Sequence, residues 1–66
     1  MSIAKTIEIT ASSKKSFDDA LKKGIAKAAA SLENITGAWL MDQSVKVNKG
    51  KIFEYTVRMK LTFVLK

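Results

Sequence analysis

The sequence predicts an α+β domain: one helix and three strands in the order strand, helix, strand, strand, with the strands forming an antiparallel sheet wrapped on the helix. Three observations carry this. Apolar residues alternate with polar ones over three separate stretches, the period of a half-buried strand. A single intervening stretch repeats its apolar residues every three or four positions, the stripe of an amphipathic helix. Asn48-Lys49-Gly50 then breaks the last two alternating stretches at a spacing that fits a hairpin turn.

The first strand runs from Ile3 to Ala11. Ile3, Ile7 and Ile9 point to one face and Ala4, Thr6, Glu8 and Thr10 to the other. Lys5 interrupts the apolar face near the strand's start, where an ammonium head reaches water at little cost. The N-terminus from Met1 to Thr6 reads as strand as well.

Ser12-Ser13-Lys14-Lys15-Ser16 separates strand from helix. Ser13 and Ser16 are both suitable N-caps, since a serine oxygen accepts the free N–H groups of the first turn. Asp18 and Asp19 stand where carboxylates favour the positive end of a helix dipole. From there Phe17, Leu21, Ile25, Ala28, Leu32 and Ile35 trace one stripe, which predicts a helix of about 20 residues ending near Asn34, with Gly37 as a stop signal. Ala20, Gly24 and Ala28 form a second row at spacing four. A mid-helix glycine costs up to about 1 kcal/mol relative to alanine. The row fits close packing of the helix on its own sheet, or against another copy.

The second strand is expected from Ala38 to Val47. Trp39, Met41, Gln43, Val45 and Val47 would share one face, opposite Ala38, Leu40, Asp42, Ser44 and Lys46. The last strand has the clearest alternation: Phe53, Tyr55, Val57, Met59, Leu61, Phe63 and Leu65 against intervening polar residues. A helical crossover returns the second strand parallel to the first. Placing the third between them makes every pairing antiparallel. One helix covers one face of such a sheet, leaving Leu40, Val64 and the outer edges for neighbours.

The chain has 66 residues, room for a single domain spanning 1–66. A chain so short buries only about 60% of its unfolded surface. Small scaffolds add disulfides, a metal or a subunit interface. With no cysteine and no histidine, yet 47% hydrophobic residues, the remaining device is association with copies of itself. The lack of cysteine suits a reducing cytoplasm. The N-terminal residues carry no apolar signal region, and no run approaches the roughly 20 apolar residues of a membrane span.

Enzymatic chemistry finds no support: there is no histidine or cysteine, no glycine-rich phosphate loop and no spaced carboxylate pair. Glu8, Asp42 and Glu54 are the oxygen ligands a hard cation such as calcium could use, but they sit on three strands. The net charge of +6 comes mostly from lysines, without a nucleic-acid motif. It reads as a solvated surface rather than a nucleic-acid interface.

Over nearly its whole length the sequence resembles the dodecins, small flavoproteins of this element order whose subunits assemble into a hollow dodecamer. The resemblance rests on Ser12-Ser13-Lys14-Lys15-Ser16-Phe17, on Gly24-Ile25-Ala26-Lys27-Ala28 and on Gly37-Ala38-Trp39-Leu40-Met41-Asp42-Gln43. Glu54-Tyr55-Thr56-Val57-Arg58-Met59-Lys60-Leu61-Thr62-Phe63-Val64-Leu65 completes it. It implies a homo-oligomeric shell, expected to be a dodecamer, that binds or stores a flavin (riboflavin or FMN) and is not an enzyme. A shell without flavin, structural or calcium-binding, is the alternative.

In flavin-binding dodecins a tryptophan at the start of the second strand stacks on the ring, and a glutamine of the third bonds its polar edge. Here Gly37 and Thr56 stand at those places, and Ser44 and Val64 stand where some members have arginine. Trp39, two residues on, is a displaced stacking ring or an interface or core aromatic. By the same resemblance Lys5 and Lys27 lie where a ligand's phosphate tail is held. Stacking on indole supplies much of the affinity for a flat ring, and a hydroxyl cannot replace both contacts of an amide. Flavin binding is therefore expected to be weak or altered.

Overall fold

The structure, a computed structural model, describes residues 3–65; Met1, Ser2 and Lys66 lie outside the described residues. Strand β1 spans Ile3–Ser13, helix α1 Phe17–Ala29, strand β2 Ile35–Asn48 and strand β3 Lys51–Leu65. The sheet order is β1-β3-β2 and both pairings are antiparallel. The central position of β3 follows from its side chains. Val57, Met59 and Leu61 are fully buried under the helix, and both of its edges are paired. Lys49 (φ 52°) and Gly50 (φ 76°) form the two-residue turn between β2 and β3. Two successive positive φ values follow the right-handed twist of the flanking strands.

Of the two candidate N-caps, Ser16 caps the helix and Ser13, which ends β1, does not. Ser16 Oγ accepts the Asp19 N–H at 2.9 Å, while Ser13 Oγ donates to the Asp19 carboxylate and accepts the Lys15 N–H at 2.9 Å. The helix lies on β1 and β3 and leaves most of β2 exposed. Ala20 is fully buried with Val57, Met59 and Leu61, and Ile7, Ile9, Leu21 and Ile25 pack around them. Phe17 meets Tyr55 edge-on at 5.1 Å between ring centres, a favoured aromatic geometry. Gly24 is buried, and a Cβ there would fall 2.9 Å from the Ala11 Cβ and 3.0 Å from the Met59 Cε. The small-residue row thus serves close packing of the helix on its own sheet.

Two further expectations are corrected. The helix ends at Ala29, not near Asn34. Ala30, Ser31 and Leu32 turn back their N–H groups to Lys27 and Ala28 carbonyls. Asn34 then takes the left-handed conformation (φ 60°) and its carbonyl accepts the Val64 N–H at 3.1 Å. The sheet captures Ile35 against Phe63 before the helix can continue, so Gly37 is a strand residue opposite Thr62 and Asn34 makes the reversal.

The second correction concerns β2. The register shifts between Leu40 and Asp42, leaving Met41 as an extra residue. A bulge inverts the alternation beyond it. Trp39 therefore shares the face away from the helix with Asp42, Ser44 and Lys46, opposite Lys60, Arg58, Thr56 and Glu54. Leu40, Gln43 and Val45 lie on the helix side, opposite Met59, Val57 and Tyr55. The grouping of Trp39 with Gln43 and Val45, and the placing of Leu40 opposite them, do not hold.

The molecule measures 52 × 20 × 13 Å with a radius of gyration of 13.7 Å, against about 11 Å for a compact chain of this length. Its surface of 4907 Å² exceeds the roughly 4,200 Å² typical of a monomer of this mass. The excess lies along β2 and the hairpin, where Trp39, Leu40, Val47, Ile52 and Phe53 are exposed. One helix is too short to cover this sheet.

Candidate functional site

The face of the sheet away from the helix carries rows of side chains running across the strands. One row holds Thr6, Thr62 and Gly37; the next Glu8, Lys60 and Trp39; then Thr10, Arg58 and Asp42; then Ser12, Thr56 and Ser44. Lys46 and Glu54 close the series. Most of these polar groups find each other. Arg58 pairs with Asp42 and Lys46 with Glu54, the latter at 3.2 Å. Ser12 and Thr56 hydroxyls are 3.0 Å apart. Glu8, Asp42 and Glu54 balance Lys46, Arg58 and Lys60, so this face adds nothing to the net charge of +6; among the described residues the surplus lies on the helix side and the hairpin tip.

Trp39 stands out on this polar face. Its side chain is 61% exposed, and the Lys60 ammonium lies over the indole at 5.8 Å from the ring centre, within cation–π range. Beside it Gly37 has nothing within 4 Å of where a Cβ would be. Bare backbone therefore adjoins the indole, about 7 Å along the strand. Sequence reasoning named Trp39 and Gly37 but missed Lys60. Only the register of β2 on β3 brings that ammonium to the indole, and the bulge hides the register.

The six candidate ligand residues do not form one pocket within a single chain. Gly37, Trp39, Ser44 and Thr56 share the outer face. Gly37 stands opposite Thr62, six residues along β3 from Thr56, a distance of about 20 Å at strand rise. No single ring system reaches both from one copy. Lys5 and Lys27 are on the other side of the sheet. Lys5 stands opposite Phe63 on the helix-facing side, exposed, whereas Lys27 lines a cavity of about 310 Å³ between α1 and β1 with Ile9, Ala11, Lys23, Gly24 and Ala28.

The remaining carboxylates are largely engaged. Asp18 pairs with Lys22 at 3.0 Å and Asp19 with Lys23 at 3.2 Å. The hydrogen bond from Ser13 holds the Asp19 carboxyl below the ordinary carboxylate range; partial burial opposes this, and Lys23 and Lys15 reinforce it. Among the described residues no three acidic side chains converge as a metal site. No helix is long and apolar enough to cross a membrane among the described residues.

An open three-stranded sheet on one short helix, with an aromatic platform on its polar face, defines a class of small α+β scaffolds with more apolar surface than one copy covers. Within that class the chain belongs to the dodecin family, whose sequence profile matches residues 3–66. Among solved structures it is similar to a dodecin from Streptomyces davaonensis, at 26% identity and a TM-score of 0.93, covering 98% of this chain and 96% of that one. It is similar to a calcium-chelating immunodominant antigen, calcium dodecin, from Mycobacterium tuberculosis, at 26% identity and a TM-score of 0.84, covering 97% and 91%. A dodecin from Streptomyces coelicolor shares the fold at 18% identity and a TM-score of 0.94, covering 98% and 93%. Comparison with curated protein sequences gives no match.

Proposed function

We propose that this chain is the subunit of a self-assembling shell, a homododecamer in the cytoplasm, that binds or stores a small planar ligand of the flavin kind without acting as an enzyme. The observation that carries the ligand reading is Trp39: a largely exposed indole beside open space over Gly37. Assembly is supported by the largely exposed β2 and by the distance between Gly37 and Thr56, which only residues of two copies can bring to one ligand. The usual stacking and amide positions, held by Gly37 and Thr56, do not fit a flavin ring. Trp39 is then the indole left to stack on it, and binding is correspondingly weak.

Titration of purified protein into riboflavin or FMN, followed by flavin fluorescence, tests this. Quenching that is lost in Trp39→Leu supports the reading; no quenching at micromolar protein leaves a shell without flavin. Because Gly37 faces open space, the double variant Gly37→Trp with Thr56→Gln is expected to tighten riboflavin binding at least about tenfold. Light scattering on the same sample tests the shell, and a folded monomer mass would sink it. Calcium is disfavoured within one chain because no three acidic side chains converge among the described residues, and Asp18, Asp19, Asp42 and Glu54 each already hold a cation. Nucleic acid is not expected as a partner; a mobility shift with steep salt dependence would contradict that.

A further inference from the structure

The side chain set against Trp39 points to the charge of the ligand. Lys60 sits in the middle of its row with Glu8 on the β1 side and Trp39 on the β2 side. Its ammonium lies over the indole, and among the described residues no ion pair joins it to Glu8. The neighbouring Arg58 is neutralised by Asp42. Glu8 stands two strand spacings from the indole, about 10 Å away. The charge nearest the open ring face is therefore positive.

We propose that the Trp39 platform takes a planar aromatic anion, with Lys60 as the residue that reads its charge. This rests on the ring-binding reading above and adds a selectivity to it. With the indole largely exposed the ammonium–indole contact is weak, so a flat ring displaces the half-buried Lys60 side chain from it. The flexible lysine stem then keeps the ammonium at the ring's edge, where a carboxylate, sulfonate or phosphate accepts a charge-assisted hydrogen bond. The bare Gly37 backbone gives the ring room to extend. A cationic ring would meet repulsion at the same point.

Three flat probes of similar size and different charge test this: anthraquinone-2-sulfonate, riboflavin and the cation proflavine. Binding is measured by equilibrium dialysis, with quenching of Trp39, the single tryptophan of the chain, as the local readout. The sulfonate should bind at least about tenfold more tightly than riboflavin, and proflavine least. Lys60→Met should collapse the preference to within about twofold, while Lys60→Arg keeps it. Lys22→Met, which removes the same charge from the exposed helix surface, should leave the preference intact and so separates a local reader from general attraction to a basic protein. A sulfonate preference that survives Lys60→Met, or proflavine binding tightest, would overturn the assignment while leaving ring binding in place. If none of the probes binds, or if Trp39→Leu changes nothing, the ring-binding reading itself falls.

Discussion

Alternate residues of β3 live in different worlds. Val57, Met59 and Leu61 are sealed beneath the helix, whereas the exposed Arg58 and half-buried Lys60 between them face outward, against Asp42 and the indole of Trp39. The helix side holds the core, and the free surface around it carries the positive surplus. The opposite face is charge-balanced and holds the exposed indole. The two sides of one strand are thus specialised, one for stability and one for recognition, and mutations should separate them.

The largest contrast is between neighbours. Leu61→Asp places an unpaired carboxylate in the core and should abolish soluble folding, a loss of about 4 kcal/mol or more. Thr62→Asp on the outer face, half-buried on the central strand, should cost only about 1 kcal/mol. Urea unfolding and soluble yield measure both; a well-folded Leu61→Asp protein would mean that the two faces have been misassigned. Next comes Gly24→Ala. Its methyl would meet Ala11 at 2.9 Å, and overpacking of about 1–3 kcal/mol should outweigh a helix gain of at most about 1 kcal/mol. A net loss of up to about 2 kcal/mol, read as a lower urea midpoint, is expected, and a stabilised variant would show that the helix has room to move.

Smaller still is Asp42→Asn, which breaks an exposed ion pair and should cost between about 0.2 and 1 kcal/mol, less in high salt. The last effect appears only in acid. The Asp19 carboxyl is held below its ordinary range mainly by Ser13, so the unfolded chain takes up its proton first as pH falls. The stabilisation is present above the unfolded value near 3.9 and is lost as pH drops through the lower, folded value. Urea midpoints taken from pH 5 downward should fall less steeply in Asp19→Asn than in the parent. Equal slopes would remove Asp19 from the acid response.

What was legible follows from where local chemistry agreed with the fold. The strand order could be read because the alternation of β3 is unbroken, and the helix start because Ser16, Asp18 and Asp19 all mark it. The helix end could not: Leu32 and Ile35 continue the helical spacing, but pairing of Ile35 with Phe63 prevails over it. The faces of β2 were misread because nothing in the residue types announces Met41 as an extra residue. For the candidate site, the shared face of Gly37 and Trp39 is visible in their spacing. The Lys60 contact is not, since it depends on partners 21 positions apart finding their register.

The chain order of the strands also bears on how the fold is reached. The central strand, β3, is made last, and β1 waits for it across the entire helix and hairpin, with Ile3 finally meeting Leu65. The two-residue turn lets β2 and β3 zip locally, in microseconds for a simple hairpin, while β1 closes the longest loop in the molecule and so sets the slower step. During synthesis β1 and α1 emerge with no sheet to lie on. Their apolar stripes stay unpartnered until β3 arrives, which makes this interval, rather than the finished subunit, the time at which the chain is most exposed to aggregation.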